Sequence, residues 1–192
     1  MSHDTLIHIL ALGGSLRFAS HTRALLRAAQ SLAPDGVEIA LYSGLADIPP
    51  YDHDRDLDTP PATVRDLRDA FAHADAVLLS TPEYNASIPG QLKNALDWAS
   101  RPYPANALRD KPVAVIGASA GSFGAARAQA ELRTVLTAIG ARVVDCQLAV
   151  AAVGSALDAE GRLADARHRH RLAQIIRLLA EQAQSGHRER AA

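Results

Sequence analysis

Gly13 and Gly14 open a loop that carries Ser15, Arg17, Ser20 and Thr22, directly after the apolar run Leu6, Ile7, Ile9, Leu10 and Leu12. Leu25, Leu26, Ala29 and Leu32 then recur at helical spacing, so the loop joins a buried strand to a helix. Paired glycines let the backbone turn tightly, and hydroxyls with a guanidinium can surround an anion. The amides of a helix N-terminus point the positive end of its dipole at the same place. A phosphate is the natural occupant. Two later stretches bring a second kind of chemistry. Tyr84 offers a flat, stackable face beside the hydrogen-bonding Asn85 and Ser87, and the small residues Ser119, Gly121, Ser122 and Gly124 let a planar ligand lie close to the backbone. A phosphorylated, flat, heteroaromatic ligand satisfies all three.

The first loop lacks the Gly-x-x-x-x-Gly-Lys-Ser/Thr pattern of nucleoside-triphosphate sites. It also lacks the Gly-x-Gly-x-x-Gly dinucleotide fingerprint, because Leu16 and Phe18 stand where glycines are needed. An ordinary strand-to-helix turn, with Ser20 as N-cap and Arg17 in solvent, is the competing reading. Other reactive side chains point to less. Asp52, His53, Asp54 and Asp56 read as a solvated acidic loop, since no second cluster offers matching metal ligands. His168 and His170 are two positions apart and cannot share a helix face. Cys146 reads as a small core residue, and a hydrolase triad lacks its Gly-x-Ser-x-Gly elbow.

The elements that must position these loops alternate along the chain. Val37, Ile39 and Leu41 predict a second strand, near a sheet edge because its other face is polar. After the Pro- and Asp-rich segment, Pro60 and Pro61 open a helix with Val64, Leu67 and Phe71 inside. A third strand at Ala76 to Ser80 leads into a helix carrying Leu92, Ala95, Leu96 and Ala99. Val113 to Ile116 is a fourth strand, followed by a helix with Leu132, Val135, Leu136 and Ile139 inside, closed by Gly140. Arg142 to Val150 predicts a fifth strand, and Leu172, Ile175, Ile176 and Leu179 a last helix. Five strands alternating with five helices predict an α/β doubly wound parallel sheet of order 2-1-3-4-5, with helices on both faces. Its ligand edge lies outside the carboxyl ends of strands one and three, where all three special loops open. Residues 1–184 read as one domain and 185–192 as a frayed tail.

With 20 Lys plus Arg against 21 Asp plus Glu, the 192-residue chain has a net charge of -1 and no field to gather nucleic acid or an anionic membrane. No apolar run approaches a membrane span, the start MSHDTLIHIL is not laid out as a secretory signal, and one cysteine excludes an internal disulfide. A cytoplasmic protein acting on small molecules is expected.

At the three loops the sequence resembles the NADPH-dependent FMN reductase family of the flavodoxin-like fold, which includes bacterial quinone, chromate and azo-dye reductases. GSLRFAS at 14–20 is similar to its FMN phosphate loop, PEYNASIPGQLKNALDWASRP at 82–102 to its second signature, and GASAGSFGAARAQ at 117–129 to its third. One departure is Thr22, where many members carry Asn. The resemblance implies that Ser15, Arg17, Ser20 and Thr22 hold the FMN phosphate. It further implies that Pro82, Glu83, Tyr84 and Asn85 border the ring and ribityl chain, and that Ser119 and Gly121 line the other edge. Backbone donors at the start of the fourth helix would then favour the reduced cofactor.

The resemblance also implies an FMN-dependent NAD(P)H oxidoreductase with a ping-pong cycle. NADPH or NADH delivers hydride to FMN, and a quinone, chromate, azo compound or free flavin then takes two electrons. No side chain is needed as a catalytic acid or base, and no metal. Arg17 could instead meet a phosphate of the reductant. The rival reading is a non-enzymatic FMN electron carrier or flavin-responsive module, against which Arg17 argues, because carrier loops of this fold are typically free of basic side chains. A homodimer or homotetramer is implied too, supported in the sequence by Trp98, Tyr51, Tyr84 and Tyr103 in or beside the loops.

Overall fold

A computed structural model describes residues 6–56, 59–121, 123–151, 156–158 and 162–191, the side chains of 189–191 excepted. In it a parallel sheet of order β2-β1-β3-β4-β5 is formed by β1 (Ile7–Gly13), β2 (Val37–Leu41), β3 (Ala76–Thr81), β4 (Pro112–Ala118) and β5 (Arg142–Val143). A sixth strand, β6 (Ala149–Val150), also pairs with β4. The helices are α1 (His21–Ser31), α2 (Ala62–His73), α3 (Gly90–Ala99), α4 (Ala126–Ile139) and α5 (Ala166–Ala191). This is the flavodoxin-like arrangement that the strand and helix pattern predicts.

Alternation along the strands divides the core in two. Ile7, Ile9 and Ala11 of β1 and Ala114 and Ile116 of β4 pack with Leu25 and Leu26 of α1 and with Leu172, Ile175, Ile176 and Leu179 of α5. Leu10, Leu12, Val77, Leu79, Val113 and Val115 face the opposite layer, built from α2, α3 and α4. Central strands covered on both faces read as unbroken apolar runs, and each buried leucine or isoleucine contributes roughly 2 kcal/mol. Between β1 and β3 the chain order reverses, which leaves a crevice at their carboxyl ends.

One expectation is corrected. The single fifth strand is split into β5 and β6, because Arg133 of α4 reaches into the gap. Its guanidinium donates to Val144 O (3.2 Å), Val115 O (3.1 Å) and Cys146 O, carbonyls that a continuous ladder would use. Helix α5 runs on past Ser185 to Ala191. Gly186 is buried there, and His187 Nε2 lies 2.8 Å from Asp75 Oδ1, which ties the last turns to the start of β3. The segment Met1 to Thr5 lies outside the described residues. Cys146 is buried between β5 and β6, and burial pushes its thiol up, with Arg133 and Arg171 opposing. Among the described residues no helix is long and apolar enough to cross a membrane.

Candidate functional site

The loop after β1 is shaped by its two ends. Gly14 N donates to Ser80 O at 2.8 Å, and a Cβ on Gly14 would stand 2.9 Å from Leu92 Cδ2, so the backbone runs hard against α3. Ser20 is the N-cap of α1, with its Oγ accepting from Arg23 N (3.3 Å) and lying 2.8 Å from Thr22 Oγ1. Capping thus coexists with a pair of buried hydroxyls. The amides of His21 and Thr22, at the first turn of α1, take no partner among the described residues. Ser15 is buried, and Arg17 is exposed beside it.

After β3 the chain makes a two-residue turn. Tyr84 and Ser87 exchange backbone hydrogen bonds of 3.0 and 3.1 Å, with Asn85 at φ 53° and Ala86 at φ 64°. Left-handed conformation at both central positions is the geometry of a tight hairpin turn, which Asn tolerates and Ala does not favour. The turn presents Tyr84, whose hydroxyl lies 3.3 Å from Ser15 Oγ and so connects the first and second loops. Glu83 does something the sequence did not reveal. Its Oε2 accepts from Arg127 N (3.1 Å) and Ala128 N (3.4 Å), capping α4 from a different loop. In return Glu131 of α4 accepts from Ile88 N at 3.3 Å.

The loop after β4 is fixed by close backbone approach. A Cβ on Gly117 would stand 2.6 Å from Gly124 O, and one on Gly124 would stand 2.6 Å from the Ala149 carbonyl carbon. Ser119 N donates to Val150 O (3.0 Å), and Gly121 N donates to Ser119 Oγ (3.1 Å). Ser122 lies outside the described residues.

These loops enclose one crevice of about 180 Å³, lined by Ser15, Arg17, Ser20, Thr22, Pro82, Glu83, Tyr84 and Ser119, with His21, Ala118 and Ala120 added by the structure. Asn85 and Gly121 flank it on exposed backbone. The donor set fits FMN: three hydroxyls, a guanidinium and two helix-start amides can hold a phosphate, and Tyr84 with the small residues Ala118, Ser119 and Ala120 lines the same crevice. The expectation for α4 is corrected. Its first-turn amides are taken by Phe123 O, by Glu83 and by Ala125 O, so they are not available to stabilise a reduced ring directly.

The model of the family described as NADPH-dependent FMN reductase matches residues 7–154. The chain belongs to this family. It is 42% identical over 181 residues to an NAD(P)H-dependent FMN reductase of Pseudomonas aeruginosa, covering 93% of this chain and 95% of the relative. It is 41% identical over 140 residues to a quinone reductase of Escherichia coli, covering 72% and 74%. The solved structure of FerB, a flavoenzyme NAD(P)H:(acceptor) oxidoreductase from Paracoccus denitrificans, superposes with a TM-score of 0.82 at 36% identity, covering 93% of this chain and 98% of that one.

Outside the reductase crevice, several polar residues of the second signature have structural work. Gln91 Nε2 donates to Leu45 O and Ile48 O, Asn94 Nδ2 to Pro49 O and Trp98 Nε1 to Pro49 O, each at 2.8 Å. One face of α3 thereby staples the segment after β2. Trp98 is wholly buried, with Tyr51 edge-on at 4.9 Å, so it packs within the chain. In the acidic segment Asp56 pairs with Arg68 at 2.7 Å, and Asp52 caps its own short turn. His170 lies 2.9 Å from Gln174 Nε2 on the exposed side of α5.

Proposed function

We propose that this reductase holds FMN in the crevice at the carboxyl edge of β1, β3 and β4 and passes electrons from NAD(P)H to quinone-like small molecules. Membership of the family makes the chain an FMN-dependent oxidoreductase that uses NAD(P)H. The observation that carries the site is the convergence of three loops on one crevice, beside helix-start amides left open at α1. When bound, FMN supplies two-electron chemistry between a nicotinamide donor and an acceptor. The chain's part is to bind and orient. Ser15, Ser20, Thr22 and Arg17 take the phosphate, with charge-assisted bonds from Arg17. Pro82 to Asn85 position the ring from one side, and Ser119 with Gly121 from the other. The exposed rim of Leu16, Phe18, Tyr84 and Phe123 gives a flat donor or acceptor apolar surface on which to settle.

The test is a visible spectrum of the purified protein supplemented with FMN, before and after anaerobic NADPH and then NADH. Flavin bands that bleach at once support this reading. Bound FMN that neither nucleotide bleaches overturns it in favour of a carrier. We read the protein as a cytoplasmic homodimer or homotetramer. With Trp98 buried and Tyr51 half-buried against it, the support in this chain is the exposed aromatic rim and Tyr103. A light-scattering mass equal to one chain would remove that part.

A further inference from the structure

Glu83 is a charged side chain in the crevice whose carboxylate does not cap its own helix. Helix α4 begins at Ala126 after Ala125, a residue in the left-handed region at φ 62° that has no side chain able to cap. Its amides at Arg127 and Ala128 therefore need an acceptor from elsewhere, and Glu83 Oε2 provides it across a sequence separation of 44. Glu131 closes the loop of contacts by accepting from Ile88 N. The loop after β3 and the helix after β4 are thus bound to each other twice. The capping acceptor carries a full negative charge where the dipole of α4 would otherwise be positive.

We propose that Glu83 is a positioning residue for the flavin: its cap fixes the spacing of the second and third loops, and its charge lowers the potential at which bound FMN is reduced. The inference rests on FMN occupying this crevice. Two variants separate its parts. Glu83→Gln keeps an oxygen that can accept from both amides and removes the charge. Glu83→Ala removes both.

The experiment measures three quantities in the full chain: apo-protein melting temperature, FMN affinity by fluorescence quenching, and the midpoint potential of bound FMN against a reference dye. Glu83→Ala is expected to lower the apo melting temperature by about 2–4 °C and to weaken FMN by roughly tenfold, whereas Glu83→Gln loses much less of either. Glu83→Gln is expected to raise the midpoint potential, a change that a purely structural cap would not produce. An unchanged potential in Glu83→Gln overturns the electrostatic role. Wild-type melting and affinity in Glu83→Ala overturn the positioning role. Wild-type protein that fails to bind FMN would instead defeat the proposed site, and the apo melting temperatures would still judge the cap.

Discussion

The two edges of the sheet solve opposite problems. In a parallel sheet with crossover helices, helix N-termini gather at the carboxyl edge of the strands and helix C-termini at the amino edge. At the amino edge carbonyls of several helices accept from side chains of this chain. Lys111 Nζ donates to Phe71 O (2.6 Å), Ala72 O (3.3 Å) and Ala74 O at the end of α2. Asn106 Nδ2 donates to Ile139 O (3.1 Å) at the end of α4, and Arg142 to Gln182 O (2.8 Å) in α5. At the carboxyl edge the start of α4 is likewise closed, whereas at α1 Ser20 caps Arg23 N and the amides of His21 and Thr22 take no partner among the described residues, and left-handed or glycine backbone shapes the loops. One edge is closed by the chain's own side chains, and the other carries the proposed ligand site.

The contrast can be broken from either side. The largest effect is expected at Gly124, where an Ala Cβ would meet Ala149 backbone at 2.6 Å in a left-handed conformation. Gly124→Ala is expected to cost about 2–3 kcal/mol and to abolish retention of FMN through gel filtration. Survival of flavin binding at wild-type strength would show that the third loop is not held rigid. Next is Arg17→Ala. Loss of a charge-assisted contact predicts FMN binding weaker by roughly ten- to hundredfold in fluorescence titration, with the apo-protein melting unchanged because Arg17 is exposed. An unchanged titration would move Arg17 to the reductant.

Lys111→Met is the matching change at the amino edge. It should lower stability by about 1–2 kcal/mol in urea unfolding while leaving FMN affinity within twofold. A large loss of affinity would mean that the edges are coupled. The smallest effect is expected from Ala86→Gly, which relieves a left-handed Ala in the turn beside Tyr84. A gain of up to about 1 kcal/mol should appear as a higher melting temperature. A loss would show that Ala86 makes a contact outweighing its backbone strain.

What was legible in the sequence follows from range. The strand and helix pattern, the N-cap at Ser20 and the closing Gly140 depend on neighbours within a few residues, and all are read from local spacing. The split of the last strand depends on Arg133, which lies 11 to 18 residues from the carbonyls it takes. The contact of α5 with the start of β3, His187 with Asp75, spans 112 residues. In the site, the hydroxyls and arginine of the first loop announce themselves by type. Glu83 does not, because its meaning lies in two amides of a helix encoded 44 residues later. Trp98 likewise invited an interface reading, until its indole was seen to donate to Pro49 O.

Cys146 is the one sulfhydryl in the chain, buried and held neutral by that burial. For spectroscopy this makes the native molecule a silent background. A cysteine introduced by Phe18→Cys, at a position 96% exposed on the crevice rim, should be the one thiol that reacts quickly with a maleimide dye. Such a label would report directly, through quenching, the arrival of a coloured cofactor or acceptor, with no native cysteine to remove.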